Sequence, residues 1–212
     1  MLALLHTSPA HVPVFDDLRD EDHQGLELRH FVDEELLARA RREGPEAVAG
    51  AVRGVLEKAV AEGARAVLCT CSTIGAVAES AGTDVGVPVL RGDRPMAAAA
   101  VAAGARVVVA ATLESTLGPT VALVEEEGRR IGRPVAVRTL LVEGAWARFE
   151  VGDTEGCARL VADAVDAVGD ADAIVLAQGS MAGAQQLTMT PIPVLSSPRL
   201  GLAAGVRAAR VG

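Results

Sequence analysis

Residues 64–73 read ARAVLCTCST and residues 171–180 read ADAIVLAQGS, so the two stretches overlie each other at a shift of 107 residues. Each contains a short, continuous apolar run, which is typical of a strand covered on both faces of a parallel sheet. Each run ends in small polar residues, and the alignment places Cys71 opposite Gln178 and Thr73 opposite Ser180. The chain therefore contains an internal duplication, and this duplication decides the predicted fold.

The duplication continues in the same order through the rest of the chain. The run 2–5 matches 107–110, and the segment 87–95 parallels 192–200. A helical stripe of Val52, Leu56 and Val60 recurs 105 residues later as Cys157, Val161 and Val165. Two similar α/β lobes are predicted, with a final amphipathic segment after Leu200 packing back on the first lobe.

Apolar runs alternate with amphipathic segments along the chain, which is the pattern of βαβ units. The predicted strands are Leu2–Leu5, Leu26–Phe31, Ala66–Cys69, Val87–Leu90, Arg106–Ala110, Pro134–Leu141, Ala173–Leu176 and Ile192–Leu195. Helices are predicted over 45–63 and after Asp153, a suitable N-cap. The predicted fold class is α/β, with two pseudo-symmetric Rossmann-like lobes whose mainly parallel sheets are covered by helices. Residues 1–92 and 200–212 form the first lobe and 93–199 the second, with an active-site cleft between them.

The composition excludes several classes of function. The 212 residues include 20 Lys and Arg against 28 Asp and Glu, giving a net charge of -8, and aromatic residues make up only 2%. An acidic chain with so few aromatic side chains is a poor candidate for binding nucleic acid or an anionic membrane. Half of the residues are hydrophobic, which is enough for a real core. Small-molecule chemistry is the remaining expectation.

Targeting and cofactor signals are not found in the sequence. Three cysteines predict free thiols in a reducing, cytoplasmic compartment, and the N-terminus lacks the pattern of a signal peptide. The longest apolar stretch, 96–113, is interrupted by Arg106, so no membrane span is predicted. No dinucleotide-binding GxGxxG follows the first strand, and no P-loop occurs. We predict no cofactor, and no metal because no third ligand accompanies Cys69 and Cys71.

Open α/β sheets bind ligands beyond the carboxyl ends of their strands, so the residues at these ends are the candidate site. Loop N–H groups and hydroxyls there can hold a carboxylate without a cationic side chain. Ordinary capping and turn chemistry is the alternative for any one of them. The candidate substrate-binding residues are His6, Thr7, Ser8, Ser72, Thr73, Thr112, Ser115, Thr116, Gly179 and Ser180.

Cys71 is the candidate for acid/base chemistry. It follows a buried strand and precedes a predicted helix, where backbone N–H groups are expected to lower the pKa of a thiol toward neutrality. Such a thiolate accepts protons, donates them when protonated, or acts as a nucleophile. The alternative is a small buried hydrophobe, and that interpretation is preferred for Cys69 and Cys157.

The remaining polar residues have weaker assignments. His6 can orient a carboxylate or assist the thiolate, although a structural role is favoured. Asp93 is expected to cap the next helix rather than to touch a substrate amine, and Arg199 either reaches a carboxylate or pairs with surface acids. Four further residues are interpreted as surface or packing residues without a functional constellation: His11, His23, His30 and Trp146.

The chain resembles the aspartate/glutamate racemase superfamily, which includes amino-acid and hydantoin racemases, arylmalonate decarboxylases and maleate isomerases. The resemblance spans essentially the whole chain and is carried by HTSPA, TCSTIG, PVLRGDRPM, VVVAATLEST, VLAQGSMAG and PVLSSPRLG in this order. It implies a cofactor-independent reaction at the carbon next to a carboxylate, with one cysteine from each lobe acting on opposite faces of the substrate. Cys71 matches the first of these cysteines. The resemblance also implies a homodimer.

The second cysteine of that pattern is replaced by Gln178, which cannot exchange a proton at neutral pH. A cysteine in one lobe alone supports decarboxylation with one-sided protonation, tautomerisation, or covalent addition that permits cis-trans isomerisation. The sequence therefore predicts a racemase-like isomerase acting on a small carboxylate, with Cys71 and Gln178 as the catalytic positions. The alternatives are a one-cysteine decarboxylase or isomerase of the same superfamily, and a non-catalytic carboxylate-binding protein.

Overall fold

The computed structural model describes residues 1–211, so Gly212 of the predicted C-terminal segment lies outside the described residues. The chain divides into two compact units. Met1–Asp93 and the segment from Pro198 onward form the first unit, and Arg94–Ser197 form the second. Each unit contains a four-stranded, all-parallel sheet, so the predicted α/β class with two parallel sheets is confirmed.

The first unit has its strands in the order β2-β1-β3-β4. Short 3₁₀ turns over Pro45–Val48 and Gly82–Asp84 precede α3 and β4. Its elements are β1 (Leu2–His6), α1 (His11–Asp22), β2 (Leu28–Val32), α2 (Glu34–Glu43), α3 (Ala49–Ala61), β3 (Ala66–Cys69), α4 (Ser72–Ala81) and β4 (Val89–Arg91), joined by α9 (Ser197–Val211) from the end of the described chain.

The second unit repeats this arrangement with the strand order β6-β5-β7-β8. A 3₁₀ helix over Gly179–Gln186 takes the place that α4 has in the first unit. The other elements are α5 (Arg94–Ala103), β5 (Arg106–Ala111), α6 (Glu114–Arg130), β6 (Ala136–Leu141), α7 (Ala145–Glu150), α8 (Thr154–Asp166), β7 (Ala173–Leu176) and β8 (Val194–Ser196).

Helices cover both faces of the first sheet because its central strands are apolar except for His6 at the end of β1. In β1, Ala3 and Leu5 join the core under α2, α3 and α4, whereas Leu2 and Leu4 join the core under α1 and α9. Successive side chains of a strand point to opposite faces. Cys69 lies in the core under α3 and α4. Cys71, two positions later, is therefore directed to the same side of the sheet.

The predicted helices and strands agree with the structure within a few residues. Asp153 caps α8 by accepting a hydrogen bond from the Gly156 N–H at 2.9 Å. The helix predicted over 45–63 begins with the 3₁₀ turn and continues as α3. Strands β4 and β8 begin after their prolines, which lack an N–H for the ladder. The carbonyls of Pro88 and Pro193 still accept hydrogen bonds from the neighbouring strands at 2.9 Å.

Candidate active site

Cys71 lies two residues beyond the end of β3, at the carboxyl edge of the first sheet. Its backbone is extended, with φ -99° and ψ 117°, and α4 begins at the next residue. Cys71 is partly exposed while Cys69 is buried, and the Cys69 thiol points toward the Cys71 carbonyl at 3.6 Å. Of these two cysteines, only Cys71 is therefore accessible to a ligand.

Hydrogen-bond donors surround the Cys71 sulfur. They are the hydroxyls of Thr7 and Thr73 and the backbone N–H groups of Thr73 and Ile74, and each favours the thiolate. Burial acts in the opposite direction and outweighs them, so that the pKa of the Cys71 thiol is raised above its ordinary value. The predicted shift toward neutrality is therefore wrong, because desolvation at the strand end was not visible in the sequence. At neutral pH Cys71 carries its proton.

The other polar residues predicted for the first unit lie around the same strand ends. Thr7 and Thr73 are buried beside Cys71, and Ser72 is the buried first residue of α4. Ser8 is different, because its hydroxyl accepts a weak hydrogen bond from the Ala10 N–H at 3.4 Å and so belongs to the turn before α1. The structure thus places the Thr7 and Thr73 hydroxyls at the thiol and assigns Ser8 to turn chemistry.

His6 is fully buried, and both of its ring nitrogens have partners. Its Nδ1 lies 2.8 Å from Thr70 Oγ1, and its Nε2 lies 2.9 Å from Nδ1 of His30. The Thr70 hydroxyl donates to the Leu5 carbonyl, so it accepts from His6, which leaves Nε2 of His6 as an acceptor. His6 has no nitrogen left for a substrate and serves as a structural residue.

This histidine pair is a constellation that the sequence did not predict. Burial, with a further contribution from His30 and His11, lowers the pKa of His6 to about 3. The ring of His30 stacks on that of His6 at 5.1 Å, and its Nε2 lies 3.4 Å from Asp16. His30, interpreted as a surface or packing residue, thus packs on His6. No spacing in the sequence would have paired residues on β1 and β2, because their register is a tertiary feature.

Arg91 and Asp93 form a buried ion pair at the end of β4. Arg91 Nε and Nη2 donate to the two carboxylate oxygens of Asp93 at 2.7 and 2.8 Å, and both side chains are under 5% exposed. The guanidinium also packs on α4, since a Cβ on Gly75 would lie 3.0 Å from Arg91 Nε. Asp93 is thus occupied by Arg91, and the pair supports the helix that follows Cys71.

Gln178 occupies the corresponding position in the second unit, two residues beyond β7. Its Oε1 accepts hydrogen bonds from the Thr112 N–H at 2.7 Å, the Thr112 hydroxyl at 3.0 Å and the Leu113 N–H at 3.2 Å. Gln178 is partly exposed and Thr112 is buried. The predicted residues Thr112 and Gln178 are therefore in direct contact.

The remaining predicted residues of the second unit begin its helices. Gly179 and Ser180 open the 3₁₀ helix and are partly exposed. Ser115 and Thr116 lie in the first turn of α6, where the Thr116 N–H donates to the Leu113 carbonyl at 3.1 Å. The Ser115 hydroxyl is buried and has no hydrogen-bond partner among the described residues.

Two other assignments follow from the structure. Arg199 pairs with Glu21, at 2.6 Å, and with Asp22 on the surface of the first unit, which agrees with the surface alternative. Cys157 is buried on the apolar face of α8, as expected.

Within residues 1–211, no three His, Cys, Asp or Glu side chains are arranged to hold a metal ion. In the same part of the chain, no helix is both long and apolar enough to cross a bilayer.

Comparison with known proteins identifies the family. The sequence model of the Asp/Glu/hydantoin racemase family matches residues 10–205, so the chain belongs to this family. No curated protein sequence matches it.

Solved structures of this family have the same fold. Glutamate racemase RacE1 from Bacillus anthracis is 15% identical, with a TM-score of 0.76 over 100% of this chain and 82% of that chain. The aspartate racemase of Picrophilus torridus is 16% identical, with a TM-score of 0.72 over 99% and 94%. A liganded double mutant of arylmalonate decarboxylase is 22% identical, with a TM-score of 0.68 over 100% and 93%. At these identities the similarity shows the fold.

Proposed function

We propose that this chain is a cofactor-independent enzyme that acts at the carbon next to a carboxylate, with Cys71 as its acid/base. The observation that carries the proposal is the surroundings of Cys71. The partly exposed residue Cys71 stands at the carboxyl edge of a parallel sheet, and two hydroxyls and two N–H groups are directed at its sulfur. Such donors stabilise the thiolate that forms when the proton leaves, without shifting the resting thiol to the charged form.

In the racemase-type reaction, the Cys71 thiol first gives its proton to solvent. The resulting thiolate removes the proton from the carbon, and the C–H electron pair becomes part of an enolate. The Cys71 thiol exchanges this proton with solvent and returns a solvent proton to the same face of the carbon. Gln178 has no proton to exchange at neutral pH, so proton transfer on the side of Cys71 is the step assigned to this chain. Incorporation of deuterium from heavy water into the substrate is the signature of such a step.

A decarboxylase is the second candidate, and the resting state of Cys71 favours it. Decarboxylation breaks the C–C bond to the carboxylate, CO₂ leaves, and the electron pair stays on an enolate that needs only a proton donor. Because burial raises the pKa of the Cys71 thiol, this donor is loaded with its proton at neutral pH. Water then restores the proton of the thiol. A malonate-type substrate distinguishes this reaction from racemisation.

The test is a screen in heavy water with amino acids, hydantoins, malonates and maleate, following deuterium incorporation and CO₂ release. Cys71→Ser should keep the fold and lose at least about 100-fold of the activity, because a serine hydroxyl is a far weaker acid/base at pH 7. Cys157→Ser is the matched control, since that cysteine is buried in the apolar core of α8 and has no assigned chemistry.

Full activity of Cys71→Ser would contradict the proposed mechanism. No turnover of any substrate, combined with carboxylate binding that survives Cys71→Ser, would instead identify a carboxylate-binding protein. Circular dichroism of both variants separates a loss of chemistry from a loss of fold.

A further inference from the structure

The side-chain amide of Gln178 is held in one orientation. Three donors converge on its Oε1, and two of them are the backbone N–H groups of Thr112 and Leu113. Turning the amide over would place its NH₂ group against N–H groups that cannot accept a hydrogen bond. The oxygen therefore points toward the loop after β5, and the nitrogen points away from it.

The amide nitrogen of Gln178 is left with two unused donors. No described residue accepts a hydrogen bond from Nε2, while Oε1 carries all three contacts of the side chain. That nitrogen is also not among the buried polar atoms of the described residues that lack a partner, so part of its surface is exposed. An immobilised, accessible donor pair of this kind suits an oxygen that carries negative charge.

We propose that Gln178 is a substrate-binding residue that donates from Nε2 to a carboxylate oxygen of the substrate, with Thr112 and Leu113 holding it in place. This inference rests on the proposed function, and the observations behind it all lie within the second unit. Gln178 then replaces the proton-exchanging group of the family pattern by a fixed, uncharged donor. Because its geometry is set before the substrate arrives, little side-chain entropy is lost on binding.

Gln178→Glu separates this role from a structural one. The glutamate keeps an oxygen for the three donors of Thr112 and Leu113, so a residue needed only to join these loops would tolerate the change. The outward NH₂ group, however, becomes a second carboxylate oxygen, which accepts hydrogen bonds and repels an anion. Gln186→Glu is the matched control, because Gln186 is exposed at the end of the 3₁₀ helix that follows Gln178 and receives the same charge.

The experiment measures dissociation constants of L-aspartate, malonate and maleate by isothermal titration, and KM in the heavy-water assay, for the parent and both variants. We expect Gln178→Glu to weaken binding of at least one of these anions by about 30-fold or more, the scale of a lost hydrogen bond to a charged group. Gln186→Glu should stay within about twofold of the parent.

Equal binding constants for Gln178→Glu and Gln186→Glu would overturn the inference and leave the proposed function standing. A parent chain that neither turns over the screened substrates nor binds the three anions would overturn the proposed function, and that result needs no variant. If Gln178→Glu does not fold, Gln178→Met decides. Methionine has a similar length and no donor, so a folded Gln178→Met with parental binding overturns the inference, and a folded one with weakened binding supports it.

Discussion

At the residue scale, two threonines occupy the same place in their units. Thr7 follows the end of β1 and Thr112 follows the end of β5. Each hydroxyl faces the residue two positions beyond the neighbouring central strand, which is β3 in the first unit and β7 in the second. In the first unit that residue is Cys71, and in the second it is Gln178. Equivalent backbone positions therefore support a proton-carrying thiol in one unit and a fixed amide in the other.

His6 predicts how the free energy of unfolding depends on pH. Its pKa is about 3 in the folded chain against 6.5 for an ordinary histidine, so between these values the unfolded chain binds a proton that the folded chain does not. This contribution to stability is complete above pH 6.5 and is lost as the pH falls toward 3, by up to about 1.4 kcal/mol per pH unit. His6→Gln should therefore show a shallower loss than the parent when urea unfolding is compared at pH 7 and pH 5.

The control for this prediction is His23→Gln, which replaces a partly exposed histidine at the end of α1. The absolute free energy of unfolding of His6→Gln is expected to fall, because the contacts with Thr70 and His30 change. The prediction concerns the change in the free energy of unfolding between pH 7 and pH 5. An identical difference in His6→Gln and the parent would show that His6 does not titrate in this way.

At the scale of secondary-structure elements, α9 completes the first unit. Leu202, Val206 and Ala209 pack on the face of the sheet formed by Leu2, Leu4 and Leu68. The helix approaches closely enough that a Cβ on Gly201 would lie 2.5 Å from the Gly92 carbonyl oxygen. Without α9 this face of the apolar strands would be open to water, so the helix is required for the stability of the unit.

Leu202→Ala tests this role. Leu202 is 1% exposed, and removing a buried leucine side chain costs about 2–5 kcal/mol through lost burial and the cavity left behind. Arg207→Ala, on the exposed side of the same helix, should change stability by no more than about 0.5 kcal/mol. Thermal and urea unfolding measure both, and equal effects would show that α9 is not part of the cooperative core.

At the scale of the whole molecule, the two units share one topology. The orders β2-β1-β3-β4 and β6-β5-β7-β8 are the same sequence of positions, and every pair is parallel. Right-handed crossover connections between parallel strands allow few alternatives, so similar sequences reach the same arrangement twice. The repeat thus supplies two equivalent strand-end positions on which different chemistry is placed.

The repeat predicts a gain of function for Gln178→Cys. The new thiol would stand beside Thr112 as Cys71 stands beside Thr7, which restores the two-cysteine pattern of the family. At saturating substrate, where weaker binding after loss of the Gln178 amide does not limit the rate, we expect faster racemisation or α-hydrogen exchange than in the parent, provided that the thiol comes within about 4 Å of the substrate carbon. Gln186→Cys adds a thiol at an exposed position and is the control. Exchange no faster than in the parent would contradict the prediction.

The sequence by itself predicts the parts of this protein that depend on local patterns. Continuous apolar runs such as Ala66–Cys69 and Ala173–Leu176 became central strands with the predicted bounds, because a buried parallel strand needs no information beyond its own residues. The duplication, the position of Cys71 at a strand end and its pairing in the alignment with Gln178 follow from the same local signals. Family membership agrees with the resemblance carried by these motifs.

Only the tertiary structure determines which side chains meet and how strongly water is excluded from them. The contact of His6 with His30 depends on the register of β1 and β2, and the three donors on Gln178 come from a loop 65 and 66 residues earlier. The pKa of Cys71 is raised rather than lowered because burial outweighs four hydrogen bonds. Desolvation and long-range pairing sum over the folded surroundings of a group, and no stretch of sequence contains that sum.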